Sequence, residues 1–144
     1  MGLDAYVYRN RTRLPFAPST PGVSIDDRTG VIDFDDPELY RRFADHVVAV
    51  HHRLGNVTLV NELHEEVQRG AGDKLPIITH TVLSSGAHCG DSIDLSRLDA
   101  LERELYVLAA LTAASRSPHM DEFLCHMLEL VRTARVEGNP IYFG

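Results

Sequence analysis

Cysteine is scarce and tryptophan is absent in this 144-residue sequence. The two cysteines, Cys89 and Cys125, form no C-x-x-C pair, and two are too few for a secreted disulfide scaffold. A chain of this length buries enough apolar surface to fold without a disulfide or a structural metal. We therefore expect a single domain over residues 1–144 with both thiols reduced.

Long apolar runs are also missing. No segment approaches the ~18 consecutive apolar residues that cross a membrane. The N-terminal stretch MGLDAYVYRNRTRLPF has no apolar region of the kind that signal peptides carry. These absences predict a cytoplasmic protein that does not enter a membrane.

Basic residues are outnumbered by acidic ones, at 14 Lys and Arg against 21 Asp and Glu, and the formal net charge is −7. Binding to nucleic-acid phosphates or to anionic lipids requires clustered Lys and Arg. The charge therefore argues against nucleic-acid and membrane partners. It favours a protein partner with a basic surface.

The patterning of the apolar residues predicts several strands. Leu3–Arg9 is rich in β-branched and aromatic residues, and Val23–Phe34 has two short β-runs around a turn that contains Gly30. The continuous apolar run LPIITHTVL predicts a central strand that is buried on both faces. The segment NPIYF predicts a short final strand.

Four helices are predicted from apolar residues at helical spacing. The first begins at Asp36 as a cap, with Pro37 in the first helical position, and extends to Leu54 before Gly55. The second covers residues 56–73.

The third helix is predicted to begin at Ser96, which forms a capping-box pattern with Asp99, and the fourth follows Pro118 and ends at Gly138. Their predicted apolar stripes are Leu98, Leu101, Leu105, Leu108 and Thr112, and Met120, Phe123, Met127, Val131 and Ala134. The element order predicts an α+β fold with a small mixed sheet of about five short strands packed against about four helices.

Four residues around one loop have side chains suited to metal or thiol chemistry: His80, His88, Cys89 and Asp91. Their spacing matches no zinc pattern, and SSGAHCG lacks the spacing of a nucleophile elbow. We therefore expect no catalytic residue, no metal and no cofactor. A small metal- or thiol-dependent enzyme that uses this region is the alternative hypothesis.

His119, Glu122 and His126 share one face of the predicted last helix, because they are three and then four residues apart. Di-metal sites in helical bundles need two such sets and further carboxylates, and this sequence offers one set. His46, His51 and His52 share no helical face. We interpret both groups as polar surface.

Acidic residues are concentrated between Val23 and Asp45, between Asp91 and Glu104, and at Glu62, Glu65 and Glu66. Some of them cap helices, and the remainder would form a negative surface. The predicted partner-binding residues are Asp26, Asp27, His88, Asp91 and Asp94.

Three segments together give the sequence a familiar pattern: the opening MGLDAYVY, the stretch SSGAHCGDS before a leucine-rich helix, and the ending ARVEGNPIYFG. The chain resembles a family of small bacterial immunity proteins of polymorphic toxin systems. The resemblance implies a protein that binds and neutralises a cognate toxin through a protein–protein surface, with no catalytic residue. A third hypothesis is a structural subunit that forms a homodimer through the apolar helix stripes.

Overall fold

The computed structural model describes residues 2–84 and 91–144 of the chain. The strands are β1 (Gly2–Tyr8), β2 (Val23–Ile25), β3 (Ile32–Phe34), β4 (Val48–Asn56), β5 (Ser92–Ile93) and β6 (Ile141–Phe143). The α-helices are α1 (Pro37–Val47), α2 (Val57–Ala71), α3 (Leu98–Thr112) and α4 (Pro118–Glu137). Short 3₁₀ turns lie at Arg11–Arg13 and Leu95–Arg97, and a π-helical turn lies at Ile78–Val82. The α+β class is confirmed.

The main sheet has the strand order β4-β1-β6-β5, and all its pairings are antiparallel. Strands β2 and β3 form a separate two-stranded hairpin, whereas the sequence predicted one mixed sheet of about five strands. Strand β1 lies inside the sheet, with β4 on one side and β6 on the other. Its side chains alternate: Leu3, Ala5 and Val7 are buried, and the residues between them point to the opposite face.

Three helices cover the face that carries Leu3, Ala5 and Val7. Helix α4 packs on β1 and β4, α2 packs beside it, and α3 packs against both of these helices. Every residue of the two predicted stripes on α3 and α4 is buried, so the prediction of these faces is confirmed. Gly138 ends α4 in the left-handed conformation at φ +66°, as its position in the sequence predicts.

The hairpin and α1 form a smaller unit beside the sheet. The rings of Phe16, Phe34 and Phe43 pack together, with Phe16 4.8 Å from Phe43 and 5.9 Å from Phe34 between ring centroids. Asp36 caps α1 by accepting a hydrogen bond from the backbone N–H of Glu38, as predicted.

The predicted extent of the first helix is wrong at its C-terminal end. The helix ends at Val47, and the following residues, including Val50 and Leu54, form β4 rather than two more helical turns. The apolar residues of this segment have helical spacing, but β-branched valines also suit a strand. In addition, the backbone N–H and C=O groups of β1 need hydrogen-bonding partners on this side. Val7 is therefore paired with Val50 across the ladder.

The predicted strand LPIITHTVL is also wrong, because this segment is helical from Pro76 and forms the π-helical turn. Ile78 and Val82 are buried on one side of the turn, so a continuous apolar run is compatible with a helical segment. Pro76 lacks an N–H at a position where a helix leaves that group unbonded. The carboxylate of Glu104 accepts the next two backbone N–H groups, those of Ile77 at 3.0 Å and Ile78 at 2.9 Å.

The predicted cap at Ser96 is also wrong. Helix α3 begins at Leu98 without a side-chain cap, and Ser96 is an exposed residue of the preceding 3₁₀ turn. The backbone N–H of Arg97 already donates to the carbonyl of Asp94 at 2.9 Å. The turn therefore leads directly into the helix and leaves less need for a capping side chain.

We expect Glu104→Ala to lower the free energy of unfolding by about 1–3 kcal/mol, because two partly buried N–H groups lose their acceptor. Glu104→Gln should cost less, since its amide oxygen still accepts one of these bonds. Urea denaturation of each variant measures the effect. Glu65→Ala, at an exposed position, is the control and should change stability by less than about 0.5 kcal/mol. Equal stabilities for E104A and E65A would contradict the capping role.

Candidate protein-binding surface

Two of the predicted binding residues lie in the turn of the β2–β3 hairpin. The Asp26 carboxylate accepts hydrogen bonds from the backbone N–H groups of Thr29 and Arg28, both at 2.8 Å. These bonds hold the pKa of Asp26 below its usual value, so the side chain is an anion that also shapes the turn. Asp27 is 87% exposed and forms a 2.5 Å ion pair with Arg11.

Asp91 and Asp94 lie on either side of β5. Both are exposed, and within the described residues neither carboxylate has a hydrogen bond or an ion pair. The Asp91 carbonyl accepts a bond from the N–H of Phe143 at 2.8 Å, which fixes the backbone at this position. The fifth predicted residue, His88, lies outside the described residues, as does Cys89.

The C-terminal segment connects these two acidic pairs. Gly30, in the hairpin turn, has φ +76°, and a Cβ at this position would lie 2.8 Å from the Asn139 side chain. Two residues further on, Ile141 is paired with Ile93 of β5. The turn that contains Asp26 and the strand flanked by Asp91 and Asp94 therefore border the same short stretch of chain.

The outward face of the main sheet carries an aromatic cluster that the sequence did not predict. Tyr6 and Tyr8 project from β1, and Tyr142 is the direct cross-strand neighbour of Tyr6. The centroid distances among these three rings are 6.3, 6.4 and 6.5 Å. On the other side of Tyr6, the His51 imidazole stacks on the phenol ring at 4.4 Å with an interplanar angle of 7°. We call these four residues the tyrosine face.

Carboxylates border the tyrosine face. Asp4 is 2.8 Å from Nε2 of His51, and Asp33 lies close enough to affect the ionisation of Tyr8. Burial, with smaller contributions from Tyr6 and Asp33, raises the pKa of Tyr8 to about 12. Burial and then Asp4 also raise the pKa of Tyr6. Both phenols therefore remain neutral hydrogen-bond donors at physiological pH.

The tyrosine hydroxyls of this face can still form hydrogen bonds with a partner. All three are half-buried, and within the described residues no hydrogen bond uses the hydroxyl of Tyr6, Tyr8 or Tyr142. A rigid ring with a polar tip gives a partner a large contact area at a small entropic cost. The sequence did contain two signals of this cluster: the alternation of Asp4, Tyr6 and Tyr8, and the placement of Tyr142 between two apolar residues. The register that brings the strands together was not visible in the sequence.

A second group of polar residues surrounds His126 on α4. Its imidazole stacks on His52 of β4 at 4.0 Å with an interplanar angle of 9°, and Glu122 lies 3.9 Å away. Nε2 of His52 is 2.8 Å from Glu129. Burial, and then the neighbouring His52, lower the pKa of His126. The sequence placed His126 and Glu122 on one helical face, but it placed His52 on a helix rather than on this strand.

The residues of the alternative enzyme hypothesis are only partly described. His80 is exposed on the π-helical turn, and Asp91 is exposed beside β5. Among residues 2–84 and 91–144, no group of three or more His, Cys, Asp or Glu side chains is arranged to hold a metal ion. An open cleft of about 260 Å³ lies beside His126, between Arg53 and Glu122.

No protein-family model, curated protein or solved structure matches the chain. Over the described ranges, no helix combines the length and the apolar character needed to span a bilayer.

The lowered pKa of His126 has a consequence for stability. The unfolded chain binds this proton more readily than the folded protein, so stability should fall as pH drops below the unfolded pKa of about 6.5. The loss is complete once pH is below the lowered pKa of the folded state. We expect His126→Gln to reduce the decline in stability between about pH 7.5 and about pH 5.

Chemical denaturation at several pH values measures this effect, and His80→Gln on the exposed turn is the matched control. The control should keep the pH dependence of the wild type. The same pH dependence in H126Q would show that the stacked histidine does not oppose protonation.

Proposed function

We propose that this protein is an immunity-type protein of the bacterial cytoplasm that binds and neutralises a cognate basic toxin. The observation that carries the proposal is the placement of exposed carboxylates around the C-terminal strand. Asp91 and Asp94 have no side-chain partner within the described residues, and Asp27 is 87% exposed. Together with a net charge of −7, they form a surface suited to a basic protein.

Electrostatic attraction gives such a surface a specific kinetic role. Exposed charges contribute little to affinity once they are paired, but they accelerate the encounter with a partner of opposite charge. Ions screen this attraction over about 8 Å at physiological ionic strength. Binding to a basic toxin is therefore expected to be fast and to weaken as salt increases.

Capture from the native host tests whether such a partner exists. The tagged protein is mixed with lysate at low and at high salt, and bound proteins are identified by mass spectrometry. We expect one stoichiometric basic protein that is released at high salt. Co-expression of that protein with and without the chain should then show that the chain restores growth. A captured protein that is harmless on its own would contradict the immunity function.

A fourfold variant tests the surface itself. Replacing Asp26, Asp27, Asp91 and Asp94 with Asn should slow association with the captured partner by about tenfold or more at low salt. The Asp26→Asn change keeps a side-chain oxygen that can accept the bonds from Arg28 and Thr29, so the hairpin turn is expected to persist. Surface plasmon resonance at several salt concentrations measures the rates.

The matched control changes the same total charge elsewhere. Its four positions are exposed and distributed over α1, α2 and the following turn: Asp45→Asn, Glu62→Gln, Glu65→Gln and Asp73→Asn. We expect the control to slow association much less. Equal effects of the two variants would mean that overall charge matters and that the predicted residues do not form the binding surface.

A further inference from the structure

We infer that the tyrosine face on the outward side of the main sheet is the docking surface for an arginine-bearing segment of the cationic partner. This inference rests on the proposed function, because it assigns that partner to a particular surface. It adds residues from β1, β4 and β6 to the acidic residues considered above.

The side chains of the tyrosine face are well suited to a protein interface. Leu3, Ala5 and Val7 are buried under the helices, whereas Tyr6, Tyr8 and Tyr142 are half-buried on the opposite side, with hydroxyls that bond to no described residue. Tyrosine is enriched among the residues that dominate binding energy at protein interfaces. Three of them on adjacent strands form a rigid patch, because the ladder between β1 and β6 fixes their positions.

The tyrosine face already holds one planar side chain, with a carboxylate at its edge. The His51 ring lies flat on Tyr6 at 4.4 Å, and the Asp4 carboxylate contacts the imidazole edge at 2.8 Å. A guanidinium group is likewise planar, stacks on aromatic rings and pairs with carboxylates through its edge. Tyr8 and Tyr142 are partly exposed and have no planar cation stacked on them within the described residues, so their rings are the positions that we assign to an incoming arginine.

The charges around the face favour a cation. Asp4 lies at one end, and Asp33 on β3 lies near Tyr8 at the other. Tyr40 of α1, which is 60% exposed, packs on Phe34 of β3 and is close enough to contribute to the raised pKa of Tyr6 and Tyr8. Arg53 is the cross-strand neighbour of Asp4, and its side chain lies over Gly2 at the sheet margin. Because Asp4 already contacts His51 and lies across from Arg53, Asp33 is the carboxylate that an arginine stacked on Tyr8 would face.

The same charges disfavour single-stranded nucleic acid. Bases also stack on tyrosines of open sheets, but such sites combine the rings with a positively charged groove that follows the phosphates. Here the face is bordered by Asp4 and Asp33, on a chain of net charge −7. A cationic protein segment can both stack on the rings and pair with the carboxylates.

Defined peptides test this inference without the natural partner. A twelve-residue Gly-Arg repeat peptide and its Gly-Lys counterpart have the same charge, and only arginine has a planar cation. Tyrosine ring signals are followed by NMR during titration. We expect the Gly-Arg peptide to shift Tyr6, Tyr8 and Tyr142, and to bind about three- to tenfold more tightly than the Gly-Lys peptide. Tyr106, which is exposed on α3 beside Arg132, should not shift.

Two variants separate docking from folding. Tyr6→Leu with Tyr142→Leu keeps apolar bulk on the sheet and removes two aromatic faces, and it should weaken the Gly-Arg peptide by about tenfold with little change for the Gly-Lys peptide. Tyr106→Leu is the control and should bind as the wild type does. Thermal unfolding of both variants verifies that each is folded before titration.

The outcomes distinguish this inference from the proposed function. If the captured basic partner binds the tyrosine double variant normally but loses affinity for the fourfold Asn variant, the docking surface is overturned and the proposed function stands. Equal affinities for the two peptides would overturn the arginine preference. An oligouridine that shifts the NMR signals of the same tyrosines more strongly than the Gly-Arg peptide would overturn the inference that a protein segment binds this face. Failure to capture any basic partner would instead count against the proposed function.

Discussion

The pairing of β1 with strands on both sides is the constraint on which this structure depends. Once β4 and β6 flank it, the two-residue period of a strand sends Leu3, Ala5 and Val7 to one face and Tyr6 and Tyr8 to the other. Helices α2, α3 and α4 then bury the first face. The second face keeps its aromatic side chains only partly buried, so a single register both completes the core and creates a candidate binding surface.

Local signals in the sequence predicted much of this fold. Asp36 and Gly138 mark helix ends through backbone chemistry that depends on few neighbours, and the stripes of α3 and α4 are long enough to be unambiguous. The errors occur where helix and strand patterns overlap. Residues 48–54 joined the sheet because β1 offered a hydrogen-bonded ladder. The segment from Pro76 became helical where Glu104, distant in sequence, accepts the N–H groups of Ile77 and Ile78. Neither cause is local.

The candidate site also has features that the sequence shows and features that only the fold creates. Acidic residues are visible in the sequence, but their pairing is not: Asp26 is committed to its own turn and Asp27 to Arg11, while Asp91 and Asp94 are left without a partner in the described part of the chain. Tyr6 and Tyr142 lie at opposite ends of the sequence, and only the β1–β6 ladder brings them together. The same holds for His52 and His126, which belong to a strand and a helix that pack in the folded chain.

The central claim is that a basic partner contacts the acidic residues and covers the open face of the sheet. Hydroxyl-radical footprinting of the free protein and of its complex with the captured partner tests this claim directly, because tyrosine rings react in proportion to their exposure. The account predicts that Tyr6, Tyr8 and Tyr142 lose reactivity in the complex while Tyr106 on α3 keeps it. Protection of Tyr106 with no change at the three sheet tyrosines would place the partner on the helical side of the molecule and contradict the account.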